Sequence, residues 1–379
     1  MFNRIKRTVG NNIINALGWH TNKKIIVIES DDWGSIRTPS YATLNRLINK
    51  NIRFNLNSGY NKYDTIASES DIANLFDVLN SVKDKNSNPA VITANCVVAN
   101  PNFEKIKSSN FLEYDYELIT ETIKKYYSST NPFHLWKQGI ENKIFYPQFH
   151  GREHLNVQLW LKVLRSNISE VKETFNESIF SQKMNIPNDD RTHFLSAYDY
   201  SDELEQQFIK NSICEGLNIF EKLFGYRSVS AISPCYTWDD FIEKCFFDEG
   251  IKFIQGGNFQ KYSTYQKKRM DRKGKYHFCG EKNKYGQTYL VRNCNFEPSL
   301  YPNINYVDDC LKRIKLSFRW RKPAIISAHR LNFIGALNEK NRDVNLRQLH
   351  LLLKQIIKQW PEIEFMTSVL LGELISNSN

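Results

Sequence analysis

Two adjacent carboxylates, Asp31 and Asp32, end one apolar run, and two histidines four residues apart, His150 and His154, end another. Adjacent carboxylates leaving a buried strand are costly unless a cation offsets them. Neighbouring strand residues point to opposite sides, so one carboxylate can bind a metal while the other takes a proton. The plainer alternative is an Asp-rich turn ahead of Trp33-Gly34. If residues 150–154 enter a helix, His150 and His154 share a face and both rings reach one ion. Glu153 directly precedes the second histidine and points away, which excludes the HExxH arrangement. With one carboxylate from elsewhere, the pair makes a three-ligand zinc set with an open position. Two surface histidines at a helix start remain the alternative.

Two further strand ends carry chemistry. Ser327-Ala328-His329-Arg330 follows an apolar run. A histidine placed there titrates near neutrality and suits a general acid. Ser233-Pro234-Cys235-Tyr236-Thr237-Trp238 predicts a stiff turn that can present an N–H to a developing oxyanion, or a simple strand-to-helix connection. Cys235 lacks the histidine and asparagine partners of a cysteine nucleophile.

Short apolar segments must position these groups. They are 24–30, 90–98, 143–149, 228–234, 252–257, 288–296, 324–329 and 363–367. Their near-continuous hydrophobicity suits strands buried on both faces. Helical spacing marks 68–83, 156–165, 202–224, 238–250 and 346–360. The alternation predicts a parallel α/β sheet or barrel, whose active site forms at the C-terminal strand ends. The stretches 100–142, 177–200 and 258–287 are expected to be long irregular loops on one domain covering 24–379, after a basic extension over 1–23.

Bulk properties narrow the partners. Lys and Arg number 51 against 41 Asp and Glu, a net charge of +10. That balance favours anionic partners. No helix-turn-helix, zinc-finger spacing or RNA-binding signature occurs, so nucleic acid is not an expected partner. The 13% aromatic content suits either sugar stacking or a filled core. Seven cysteines, an odd number with no CxxC, argue for a reducing, cytoplasmic setting. No signal peptide is read at the N-terminus. Residues 3–20 suit a basic surface helix, or one touching the inner membrane face.

Together the motifs resemble the polysaccharide deacetylase superfamily, carbohydrate esterase family four and its relatives. Glu29-Ser30-Asp31-Asp32-Trp33-Gly34 is similar to that family's Thr-Phe-Asp-Asp-Gly, and His150-Gly-Arg-Glu-His154 to its His-Ser/Thr-x-x-His-Pro. Ser233-Pro234-Cys235-Tyr236 looks like Arg-x-Pro-Tyr without the arginine, and Ser327-Ala328-His329 like Leu-x-His without the leucine. The likeness runs over roughly residues 24–370. It implies a distorted (β/α)7 barrel with long loop insertions. It further implies a divalent metal, Zn²⁺ or another, on Asp32, His150 and His154, with Asp31 as base and His329 as acid. The implied reaction removes an N- or O-acetyl group from an acetylated glycan, which is anionic or lipid-linked in some settings. Tyr236 would donate its backbone N–H to the oxyanion, and Trp33, Tyr236 or Trp238 would stack on sugar. Arg152 and Glu297 complete the expected substrate contacts. The family's arginine orients the base; either Arg152 or Arg292 is left to replace it, and Glu297 stands where that arginine's supporting Asp is often found. Two rivals remain open: a glycoside hydrolase using Asp31 and Glu297 at the required ~5–10 Å, and a glycan-binding protein that has lost catalysis.

Overall fold

The computed structural model describes all residues except 1–11, 13, 51, 53, 54, 56, 57, 167 and 379. In chain order the strands are β1 (Ile25–Trp33), β2 (Ile92–Cys96), a small hairpin of β3 (Ala99–Pro101) and β4 (Tyr116–Leu118), β5 (Phe145–Phe149) and β6 (Ser230–Ile232). There follow β7 (Phe253–Gly256), a second hairpin of β8 (Phe259–Lys261) and β9 (Gly274–Tyr276), β10 (Thr288–Val291), β11 (Cys294–Asn295), β12 (Ala324–His329) and β13 (Glu364–Met366). The main sheet runs β10-β7-β6-β5-β2-β1-β12-β11, and every pair in it is parallel.

The sheet closes on itself through one interrupted strand. β10 pairs with β7, and β11, two residues later, pairs with β12. At the interruption the Arg292 N–H donates to Gly256 O on the β7 side (2.9 Å), and the Asn293 N–H donates to Ile325 O on the β12 side (3.2 Å). Counting β10 and β11 as one position gives a ring of seven, with β13 set against the first residues of β1. The fold is therefore an α/β barrel of the distorted (β/α)7 kind. All nine residues of β1 are buried, as expected of a strand covered on both faces.

Helices over Glu69–Asn80, Pro132–Glu141, Glu203–Phe224, Tyr306–Arg319 and Glu339–Gln359 surround the ring. The Tyr306–Arg319 helix has no counterpart among the expected helices, although it buries Tyr306, Val307, Cys310, Ile314 and Ser317 at helical spacing. The stretch 100–142 departs from the expected loop: it holds helices Phe103–Ser108, Ile119–Tyr126 and Pro132–Glu141. These are short and bury few residues each, so their periodicity is weak. The stretch 258–287 likewise holds the β8–β9 hairpin and the Thr264–Met270 helix. Only 177–200 stays irregular, and it lies over a separate aromatic core of Trp160, Phe175, Phe180 and Phe194.

The expected N-terminal helix falls largely outside the described residues. The segment around Leu17 and Trp19 is tied to the barrel: Lys322 donates to the carbonyls of Leu17 (2.6 Å) and Trp19 (2.7 Å), and the Trp19 N–H donates to Cys279 O (2.7 Å). No helix among the described residues is long and apolar enough to cross a membrane.

Candidate metal centre and active site

The polar strand ends converge on a cleft of about 460 Å³ lined by Asp31, Asp32, His150, His154, Tyr236 and His329, among others. Its floor begins with an irregularity in β1. The β1–β2 register shifts between Ser30, opposite Ala94, and Trp33, opposite Cys96. Asp31 and Asp32 thus share the space of one residue, and Asp32 takes a left-handed conformation with φ of 72°. A bulge of this kind re-aims side chains. Strand alternation would have sent the two carboxylates to opposite faces; the bulge lets both line the cleft. Trp33 is turned inward instead, against Trp136 and Phe145, with its Nε1–H donating to Ser30 Oγ (2.9 Å).

The histidines are not on a helix. Residues 150–156 form an irregular loop after β5, and the next helix begins only at Val157. Gly151, with φ of 114°, reverses the chain between them; a Cβ there would meet Glu153 O at 3.0 Å. The loop is held to β2 and its extension by the His150 N–H to Cys96 O (2.8 Å) and by the Val98 and Ala99 N–H groups to Arg152 O (3.0 and 2.8 Å). The ring centroids of His150 and His154 come to 5.0 Å.

Asp32 Oδ1 lies 3.2 Å from His150 Nε2 and 3.4 Å from His154 Nε2. Three ligands at ~2.0–2.1 Å from a tetrahedral ion are separated by about 3.3–3.4 Å; these two edges match that spacing, and ligand atoms of all three residues lie within 4.8 Å of one another. The His150 Nδ1–H donates to Ile232 O (2.9 Å), which directs the Nε2 lone pair into the cleft, the usual second contact of a ligating imidazole. Burial, only partly offset by the Asp32 carboxylate, pushes His154 down to about 3. It stays neutral and able to donate a lone pair. Against the cost of burial, the two histidines and Arg37 hold the Asp32 carboxyl well below its ordinary range. Arg37 reaches the other oxygen, Oδ2, at 3.4 Å.

Asp31 sits in a different environment. Arg292 grips it bidentately, Nη1 to Oδ2 and Nη2 to Oδ1, both 2.6 Å, and the Asn95 amide donates to Oδ1 (2.8 Å). Burial raises this carboxyl, but the Arg292 contacts win and hold it at about 2. Arg292 is itself fixed by Glu29 Oε2 (2.5 Å), Tyr236 OH (3.0 Å) and Ser327 Oγ (3.1 Å). Opposite Asp31, the His329 Nδ1–H donates to Glu297 Oε1 (2.6 Å), and Glu297 Oε2 accepts from Asn332 (2.8 Å). The Tyr60 hydroxyl lies 3.1 Å from His329 Nε2, and Asp31 Oδ2 lies 3.8 Å from it. Burial alone would lower His329; the Glu297 ion pair more than offsets this and raises it to about 9.

Several expected contacts are placed elsewhere. Arg152 lies outside the cleft, paired with Glu153 (2.6 Å) and Glu215 (2.5 Å) and packed on Tyr116. Of the two arginines, Arg292 is the one on Asp31. Trp33 and Trp238 are each 1% exposed and do not reach the cleft. The Trp238 Nε1–H is satisfied by Glu243 (3.1 Å), and a buried indole whose N–H is bonded inward has no face to offer a sugar. Glu297 supports His329 instead of lining the cleft. The Tyr236 N–H, expected to meet an oxyanion, donates to Ser233 O (3.0 Å). That turn is nonetheless unusual, since Cys235 and Tyr236 both have φ of 56°, and such conformations concentrate at functional sites. Sequence alone pointed to no role for Arg37, Tyr60 or Glu29. Arg37 and Glu29 flank the acidic pair closely; Tyr60 stands in a polar stretch with nothing local to mark it.

No family model matches the chain, and no curated protein matches it. Among solved structures it is similar to a 4-alpha-glucanotransferase from Thermococcus litoralis (9% identity, TM-score 0.47, 93% of this chain and 40% of that one). It is also similar to a chain described as a polysaccharide deacetylase from Mycobacterium smegmatis (7%, 0.45, 96% and 94%) and to Puue allantoinase (11%, 0.44, 94% and 91%). The chain thus spans two fifths of the glucanotransferase. These alignments are loose, and the chemistry of the cleft rests on its own geometry.

Proposed function

We propose that the protein is a metal-dependent carbohydrate deacetylase. The observation that carries this reading is the buried Asp32–His150–His154 triangle facing two proton-handling groups, Asp31 and His329, across one cleft. A divalent ion held there, Zn²⁺ in the simplest case, supplies polarisation of the acetyl carbonyl and acidification of water. The chain's own residues do the rest. Asp31 is ionised, and Arg292 and Asn95 leave Oδ2 with a lone pair directed at the cleft, where it takes the proton of the attacking water. His329, kept protonated by Glu297, gives a proton to the departing amine. The C–N bond breaks, acetate and a free amine leave, and the proton on Asp31 returns through the solvent-filled cleft to restore His329.

The rival readings lose support. A glycosidase needs Glu297 free beside the substrate, yet both its oxygens are engaged by His329 and Asn332. A glycan-binding protein was favoured by the missing motif arginine, and Arg292 occupies that role from the end of β10. The test is acetate release from a panel of N- and O-acetylated oligosaccharides, with and without chelator. Chelator-sensitive release that zinc restores is expected; release unaffected by chelator, or none from any substrate in zinc-loaded protein, would refute the reading.

A further inference from the structure

Beside the main cleft lies a second cavity of about 220 Å³, and His193 and Lys261 line both. Backbone pairing fixes these side chains at the junction. Lys183 bridges His193 across the 177–200 loop, and Lys261 bridges Thr237, with the Trp238 N–H donating to Lys261 O (2.9 Å). Lys267 and Lys268 line the far wall.

What sets these cations apart is their gathering at one junction, since some lysines elsewhere are neutralised locally and others stand singly. Lys50, Lys85, Lys244 and Lys284 each lie against a carboxylate. Among the described residues Lys183, Lys261, Lys267 and Lys268 form no ion pair. Two acids, Asp190 and Asp199, also line the second cavity, and Lys267 lies within Coulombic reach of Asp199 without a direct ion pair. Asp199 is committed to the Thr264 N–H (2.5 Å) and hydroxyl (3.3 Å), and Asp190 is at the exposed rim. The Leu195 N–H donates to His193 Nδ1 (3.2 Å), so the neutral ring carries its proton on Nε2 and is a donor. Burial, and then Lys183, Lys261, Arg37 and Lys267, push this histidine down to about 4, an independent sign of a positive field at the junction. Lysines left unpaired beside a sugar-sized cavity, with a neutral N–H donor among them, match the chemistry of an oxyanion ligand.

We propose that Lys183, Lys261, Lys267 and His193 form a subsite for an anionic oxygen group, carboxylate or phosphate, on the sugar residue adjoining the one at the histidines. This rests on the deacetylase reading for what lies at the metal, but not for the anion preference itself. Deacetylation then acts on an acidic glycan, and the neighbouring residue sets register.

The test is calorimetric titration of the full chain, with chelator present so that turnover does not interfere. The probes are an N-acetylglucosamine–glucuronate disaccharide, diacetylchitobiose phosphorylated at O6 of one residue, and neutral diacetylchitobiose. At least one anionic probe is expected to bind tenfold or more tightly than the neutral one, and which one does so separates carboxylate from phosphate. The exposed double substitution Lys183→Gln/Lys261→Gln should erase that preference while leaving chitobiose affinity and melting temperature unchanged. Equal binding of all three probes, or equal loss for charged and neutral probes in the double variant, would overturn the subsite. Anion preference without any acetate release keeps the subsite and refutes the deacetylase; acetate release without preference does the reverse.

Discussion

The two sides of the cleft begin from adjacent residues of one strand and are built on opposite electrostatic terms. On the Asp31 side the charges are satisfied within the protein: a carboxylate, a bidentate arginine, a second carboxylate and an ionised histidine pair close on one another. On the Asp32 side Arg37 meets one carboxylate oxygen, but among the described residues the other faces only the histidine rings. That oxygen of Asp32 lies 3.2 and 3.4 Å from Nε2 of the two histidines, and His154 Nδ1, though buried, has no hydrogen-bond partner among the described residues. A carboxylate oxygen and two imidazole nitrogens converging on one point are built to receive a cation; a cluster closed by bidentate and paired contacts is built to hold orientation while a proton moves.

That contrast can be broken in descending order of effect. His150→Ala or Asp32→Ala should abolish stoichiometric zinc in elemental analysis and calorimetry and reduce turnover to background. Zinc affinity unchanged in His150→Ala would remove the metal assignment. Asp31→Asn should retain zinc within a few-fold while turnover falls about 10³-fold, the scale of a lost general base. Equal loss of zinc in this variant would erase the distinction between the two carboxylates.

Arg292→Met tests the saturated side through stability. It strands Glu29 and Asp31 as buried carboxylates, so denaturant unfolding should show a loss of about 3–5 kcal/mol. An effect below about 1 kcal/mol would mean that the site relaxes around the gap.

The smallest effect concerns His329. Its raised value keeps the acid form present up to about pH 9, so kcat should fall as pH rises through that point. Glu297→Gln should move the alkaline limb to lower pH and cut turnover about tenfold at pH 8. The linkage has a definite sign. A histidine raised in the fold adds stability that is complete below its ordinary value near ~6.5 and is lost as pH rises through about 9. Urea midpoints at pH 6 and 10 should therefore converge in Glu297→Gln relative to the natural chain. An unmoved limb would show that another group donates the proton.

Much of the architecture was legible in the chain. β1, β2, β5, β12 and the β10–β11 segment coincide with the apolar runs, because a strand covered on both faces needs continuous hydrophobicity wherever it lies. Placing the chemistry at strand ends followed from the same alternation. The helices of 100–142 and Tyr306–Arg319 were not legible, since short helices with polar outer faces carry weak periodicity and gain their stability from the wall that they pack against.

The sequence by itself determined which residues could do chemistry: the acidic pair, the two histidines and His329 are marked by type, spacing and position after apolar runs, all local properties. Tertiary structure alone decided how they act. A β1–β2 register shift turns both carboxylates into one cleft, and a loop around Gly151, not a helix, brings the histidines together. Arg292, separated from Asp31 by 261 positions, became its partner only when β10 and β11 closed the ring, while Trp33, Trp238 and Arg152 were drawn into the core by neighbours distant in sequence. Register, closure and burial depend on which segments meet, and no local pattern encodes that.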